Sequence, residues 1–442
     1  MLYDRNDKEY QDKGNGKTLM LAITNATLID GTGSDPYDNG TVLIDGERII
    51  EVGPGKNVHI PRDTTIIDAQ GASVLPGLID THVHFMLEHI NLARALITPP
   101  SLALFQAIPR MRATLNAGIT TVRDAGGTMA GVRMAVDQGI IPGPRMQVSV
   151  ILISQTGGHG DDYYPCCVDL GFFGLQFADL PSGVADGADQ IRKKTREVLR
   201  AGADWIKLAT TGGVLSTADV PTSSQLTVEE IAVAVYEAAA QEKRCMAHAQ
   251  GTQGIKNALK AGVASIEHGI YLDDEAIDMM LKQDAYLVPT LIAPVWVAEF
   301  AAEHPDILPP VMAEKSYKVM DAHRQSFRRA VEAGVNIAMG TDAGVGAHGE
   351  NGRELEMMVE NGMTPLQAIS ASTLHAARLL HLDSELGTLE AGKLADVILV
   401  DGQVGSDITR LAKPKNVKLV LKGGLAAKNE FDVSLPLIAG LG

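Results

Sequence analysis

Four times in the middle of this chain an Ala-Gly pair closes a helix-like stretch and opens an apolar one. The pairs are Ala117-Gly118 before ITTVRD, Ala201-Gly202 before ADWIKL, Ala261-Gly262 before VASIEHG and Ala333-Gly334 before VNIAMGTD. Glycine just past a helix end adopts cheaply the left-handed conformation that side chains resist, so each pair reads as a helix stop followed by a strand. Between the pairs lie helical stretches such as LTVEEIAVAVYEAAAQEK over 226–243, with Thr227 placed to cap and Glu229 and Glu230 in the first turn. Candidate strands number eight, near 78–84, 119–124, 146–153, 204–210, 244–249, 264–268, 285–292 and 335–342. Strands alternating with helices predict a parallel α/β fold, and eight is the count that closes a (β/α)8 TIM barrel.

The two ends have a different texture. From Thr18 to Pro76 short apolar stretches are cut by turns, as in Thr41-Val42-Leu43-Ile44 followed by Asp45-Gly46, the pattern of β-hairpins. The same texture returns over 387–402 and 417–431. The expected layout is a disordered tail at 1–17, a composite β-sandwich from 18–76 and 386–436, and a barrel over 77–385.

Composition narrows the partners. Thirty-eight Lys and Arg against 54 Asp and Glu leave a formal net charge of −16, which disfavours nucleic acid and anionic lipid. Three cysteines (Cys166, Cys167, Cys245) cannot form a disulfide framework for 442 residues, and the first two are adjacent. The polar N-terminus lacks the apolar core of a secretory signal, and the apolar run Tyr286–Val297 is broken by Pro289 and Pro294. The expectation is a cytoplasmic homo-oligomer that meets a small molecule or dipeptide, with neither nucleic acid nor membrane as a partner.

Polar residues recur at the strand ends. Counted from the Ala-Gly glycines, Asp124 lies six residues on, Lys207 five, His268 six and Asp342 eight. The C-terminal ends of barrel strands converge on one mouth, where such residues meet. Pro76-Gly-Leu-Ile-Asp80-Thr-His82-Val-His84 adds an H-x-H on the first strand. Residues two apart on a strand point the same way, so His82 and His84 form half a site for a divalent ion such as zinc. Lys207, His248 in CMAHAQ, His268 in SIEHG and Asp342 in GTDAG supply further ligand types. No G-x-S-x-G offers a serine triad instead.

The ordered set PGLIDTHVHF, TTVRDAGG, SQTGGHGD, IKLATTGGV, AHAQG, IEHG, GTDAG and GTLEAGKLADVILVD resembles the amidohydrolase superfamily. Within it, the likeness is to imidazolonepropionase-like proteins and prolidase- or carboxypeptidase-like dipeptidases. The resemblance spans Thr18 to Phe431 and implies a barrel, a sandwich built from both ends, and two zinc ions bridged by a carboxylated lysine and a hydroxide. Carried over residue by residue, it assigns His82, His84 and Asp342 to the more buried metal. His248 and His268 go to the second, and N6-carboxylated Lys207 bridges both. It also makes Asp342 the proton shuttle, with His159 and Tyr271 polarising the scissile carbonyl.

The activity implied is hydrolysis of an amide bond, in a dipeptide (Xaa-Pro or another C-terminal residue) or an N-acyl amino acid. A cyclic amidase or an ester or lactone hydrolase would use the same centre, and a metal-free scaffold would have lost ligands that this chain retains. A carboxylate-ended substrate needs a clamp. Among the mouth loops only the helix-edge Arg353 stands out, which leaves the clamp unassigned. His59, His89, His304, His323, His375 and His381 have no partner at ligand spacing, His348 follows the Asp342 loop, and Arg123-Asp124 reads as a structural ion pair.

Overall fold

The computed structural model describes residues 20–87, 94, 97–164, 168–169, 171, 174–175 and 177–441. The expected tail at 1–17, His89 and the Cys166-Cys167 pair lie outside the described residues. The chain forms a (β/α)8 barrel with a β-sandwich assembled from both ends.

Parallel pairing runs through Leu78–Val83, Ile119–Asp124 and Arg145–Val148, then from Leu152–Ile153 through Trp205–Ala209, Arg244–Ala249, Ser265–His268 and Tyr286–Val288 to Asn336–Ile337. The ring closes where Thr81 N donates to Met339 O (2.9 Å) and Asp342 N to His82 O (2.7 Å). All four Ala-Gly glycines have left-handed φ, +91°, +91°, +89° and +80°, as helix stops require. Thr227 caps Val228–Ala239 in a reciprocal box with Glu230, the second of the two acidic residues in the first turn.

The third strand departs from expectation. Its first half pairs with the second barrel strand and its second half with the fourth, and between them Val150 has φ +64°. A β-branched residue pays for that conformation unless its surroundings hold it. Here Gly127 N donates to Val150 O (2.8 Å) and Ile151 N to Ser149 O (2.7 Å), so local hydrogen bonds replace the ladder.

The terminal segments meet in one sheet. Ser73–Pro76 pairs parallel with Met20–Leu28 and antiparallel with Val397–Val400. Alternate side chains of Val397–Val400 serve two cores: Val397 and Leu399 pack in the sandwich, while Ile398 and Val400 join the barrel core. A strand covered on both faces must be apolar throughout, which explains the unbroken VILV. Among the described residues no helix is long and apolar enough to cross a membrane.

Candidate active site

Each ligand-type histidine has one ring nitrogen committed behind the site and the other turned towards it. His82 Nδ1 lies 2.7 Å from Glu267 Oε2, and His84 Nδ1 lies 2.8 Å from Gly126 O. His268 Nδ1 meets Thr290 Oγ1 (2.7 Å), and His248 Nε2 lies 3.2 Å from Gly212 O. Carbonyl oxygens only accept, so Gly126 and Gly212 fix tautomers that leave a lone pair on His84 Nε2 and His248 Nδ1. The rings cluster: centroids are 5.4 Å apart for His82 and His84, 5.2 Å for His82 and His268, and 4.7 Å for His248 and His268.

Asp342 closes the group, with Oδ1 3.4 Å from His82 Nε2 and 3.1 Å from His84 Nε2. One ligand atom each from His82, His268 and Asp342 lies within 4.8 Å of the others. Both His268 (φ +72°) and Asp342 (φ +65°) sit in the left-handed region at their strand ends. Such strain costs roughly 1–3 kcal/mol per residue and is held where the surrounding structure over-determines it.

Electrostatics suit metal binding. Burial and the nearby Lys207 charge push His82 well below its ordinary range, and burial with neighbouring cationic groups does the same for His248 and His268. Metal ligands must be neutral imidazoles, the form this environment favours. Burial opposes ionisation of Asp342, but His82, His84 and Lys207 outweigh it and hold the carboxyl at about 2. Asp342 in turn overcomes burial and raises His84.

Lys207, on the fourth strand, is 3% exposed, and its Nζ has no hydrogen-bond partner among the described residues. Burial lowers it to about 8, with Glu267 and Asp342 pulling the other way. An orphaned buried amine among four histidines and an aspartate is costly unless something else completes it.

His159 stacks on His248, centroids 4.1 Å apart, and lies over Gly213, where a Cβ would come within 2.2 Å of the ring. Its Nδ1 is 3.6 Å from Asp219 Oδ2, and its N donates to Gln225 Oε1 (3.0 Å). The buried Lys315 ties this loop down through the carbonyls of Gly213, Ser216 and Asp219. Tyr271 is placed differently: its half-buried ring packs against the apolar core, and Ile270 rather than Tyr271 lines the cavity.

The cavity, about 180 Å³, brings together His82, His84, His159, Lys207, His248, His268 and Asp342. It also contains Arg94 and Arg110, two arginines that sequence reasoning missed because it looked for a clamp in the loops after later strands. Arg353 is held by Glu299 and Glu350 and does not line the cavity. His348 stacks on Phe85 behind the site, and His323 is buried with Nε2 near the carbonyls of His268 and Pro289. Arg123 makes its ion pair with Glu267 (2.9 Å), not with neighbouring Asp124, which accepts from Phe85 N and Thr128 Oγ1. Adjacent strand residues point to opposite faces, which sends Arg123 and Asp124 to different partners instead of to each other.

Comparison with known proteins agrees with this geometry. The profile of the amidohydrolase family matches residues 73–426. Ochratoxinase of Aspergillus niger is 34% identical over 414 residues, covering 90% of this chain and 84% of that protein. Among solved structures, a Xaa-Pro dipeptidase with methionine bound in its active site has a TM-score of 0.83 and 36% identity, covering 92% of this chain and 99% of that one. A prolidase complexed with N-methylphosphonate-L-proline has a TM-score of 0.85 and 33% identity, covering 93% of this chain and all of that one (100%). With its barrel, its ring of inward-turned histidines and a family profile spanning most of its length, this chain belongs to the amidohydrolase family.

Proposed function

We propose that this chain is a binuclear metal-dependent hydrolase, with zinc as the natural ion, that cleaves the amide bond of a dipeptide or an N-acyl amino acid. The observation that carries the reading is Lys207. Its amine is buried and has no hydrogen-bond partner among the described residues, and a free ammonium offers only donors. A neutral amine attacks CO2, forming the N–C bond and losing a proton to solvent, and the resulting carbamate presents two oxygens. The donor set then fits two ions: His82, His84 and Asp342 for one, His248 and His268 for the other, with carboxylated Lys207 between them. Bound divalent ions lower the pKa of water to ~7 and polarise the scissile carbonyl.

The chain's own groups do the rest. Asp342 accepts the proton of the attacking water and passes it to the leaving nitrogen, as the C–N bond breaks and the carbonyl carbon gains oxygen. His159, against the His248 ring at the cavity wall, donates to the developing oxyanion. Tyr271, three residues after His268, is the second donor in this scheme.

The substrate class draws on the relatives. A dipeptidase with methionine in its active site and a prolidase with a proline phosphonate both act on substrates that end in an amino acid. Dipeptides and N-acyl amino acids assayed with zinc-loaded protein, following free amino acid, test the reading. Amino acid release that tracks metal content supports it; release from no member of the panel, with metal bound, overturns it.

A further inference from the structure

Two glutamines of the barrel are used by the protein at both ends of the side chain. Gln225 Oε1 accepts from His159 N (3.0 Å), and its Nε2 donates to Asp219 Oδ2 (3.1 Å). Gln147 Oε1 accepts from Trp205 Nε1 (2.6 Å), and its Nε2 donates to Leu380 O (3.1 Å). Gln250 differs. It lines the cavity two residues past His248, is 5% exposed, and its Oε1 is buried with no hydrogen-bond partner among the described residues. Its backbone, by contrast, is fixed on both sides. Gln250 N donates to Thr211 Oγ1 and Tyr271 N donates to Gln250 O, each at 2.9 Å.

A buried acceptor without a donor is costly, and in a cavity wall a ligand can supply the missing group. The terminal torsion of a glutamine is soft, so the oxygen can turn to meet it. An amide oxygen accepts but carries no charge, so it suits an N–H and offers nothing to a carboxylate. Val214, Ile270, Val297 and Met312 also line the cavity, and in such apolar company one hydrogen bond counts for more than in water. In the proposed reaction His159 takes the scissile carbonyl, and Asp342 brings a proton to the lone pair of the leaving nitrogen. The N–H of that nitrogen has no acceptor assigned. Gln250 follows the fifth strand and Asp342 the eighth, three strands apart round the ring, so the two reach a group between them from different sides. An acceptor on the N–H from one side turns the lone pair towards Asp342 on the other.

We propose that Gln250 is a substrate-binding residue whose side-chain oxygen accepts the N–H of the scissile amide, so that this chain prefers secondary amides to the tertiary amides of Xaa-Pro substrates. The proposal rests on the reading of the centre as an amide hydrolase. A tertiary amide has no N–H and leaves the buried oxygen unpaired, the loss by which a polar site rejects an analogue lacking one donor.

The test compares N-benzoyl-L-methionine with its N-methyl derivative on the metal-loaded protein, following benzoate release. The kcat/KM ratio, secondary over tertiary amide, should fall about 5- to 150-fold in Gln250→Met, the range of one unsatisfied buried acceptor. Effects of the methyl group on the compound itself are common to both proteins and cancel in that comparison. Gln250→Glu keeps an acceptor and should keep most of the ratio, with metal content unchanged in both variants. An unchanged ratio in Gln250→Met overturns the assignment, and a fall in metal content there would make Gln250 part of the frame of His248 instead. If the parent cleaves neither compound, the hydrolase reading fails for this class, and calorimetric titration with the same two compounds decides Gln250 separately. Tighter binding of the secondary amide in the parent, lost in Gln250→Met, supports the contact; equal preference in both proteins, or binding of neither compound, removes it.

Discussion

His82 and Glu267 face each other across 2.7 Å on strands that are not neighbours, and the second carboxylate oxygen receives Arg123 at 2.9 Å. All three side chains are buried, and the Arg123 guanidinium lies 4.6 Å from the Trp205 ring centroid. Arg123 further donates to Thr81 O (2.7 Å) and Ser265 Oγ (3.1 Å). The imidazole is thereby fixed in rotation and tautomer, with Nε2 left for the centre. Carboxylate partners of this kind orient a ligand and strengthen it as a base.

Glu267→Gln should therefore loosen metal without touching a proposed ligand. The amide cannot serve both His82 and Arg123 as the carboxylate does. Metal affinity measured by chelator competition should fall about 10- to 100-fold. Because Arg123 loses its buried counter-ion, thermal stability should drop as well. Unaltered metal affinity with lowered stability would assign the pair to packing alone.

Lys207→Ala should remove the proposed bridge. Metal analysis on protein prepared without chelator should go from about two ions per chain to fewer, and turnover should be largely lost. Acetate or propionate should restore part of both by filling the gap with a carboxylate. Near-normal turnover and metal content in the variant would remove Lys207 from the centre.

The two candidate oxyanion donors are separable. His159→Asn should lower turnover about 10²–10³-fold with metal content retained, the scale of one such donor. Tyr271→Phe should cost less, since the ring packs beside the cavity while His159 lines it. His82→Ala acts at a different step and should deplete metal. Unchanged turnover in Tyr271→Phe would make Tyr271 a packing residue and leave His159 as the one proposed donor.

His323 predicts a pH window for stability. Burial holds its imidazole down at about 4, although the nearby carbonyls of His268 and Pro289 favour its charged form. With an unfolded value near 6.5, the unfolded chain takes the proton first as pH falls. Stability is then fully present above about 6.5 and is lost progressively towards about 4, by about 3 kcal/mol at most for this group. Urea unfolding of chelator-treated protein at pH 7.5 and 4.5 should show a smaller acid loss in His323→Gln than in the parent. The proposed ligand histidines act in the same direction in both proteins, so the difference between them reads His323.

Much of the fold was legible because it is periodic. The Ala-Gly stops mark helix ends, and a polar residue at the end of an apolar strand is conspicuous. The same logic brings Lys207, His248, His268 and Asp342 to one cavity. What it missed depends on contacts across the barrel. Glu267 sits beside His268 in plain view, yet its partners His82 and Arg123 come from two other strands. Arg110 lies on a helix face whose direction no local pattern announces. The third strand reads as continuous from 146 to 153 because side-chain type does not encode the turn at Val150. Local sequence also does not encode the loop direction that puts Ile270 at the cavity wall and packs Tyr271 beside it.

The pairing of Ser73–Pro76 with Val397–Val400 has a consequence for synthesis. The first of these strands leaves the ribosome more than 320 residues before its partner exists, about 15–65 s at about 5–20 residues per second. Throughout that interval a strand that ends up wholly buried presents unpaired N–H and C=O groups, a template for association with other chains. A nascent chain of this protein should accordingly hold a chaperone until its last quarter has been translated. Stalling translation near residue 385 should leave a product that is recovered in the pellet, even though every barrel strand has by then been made.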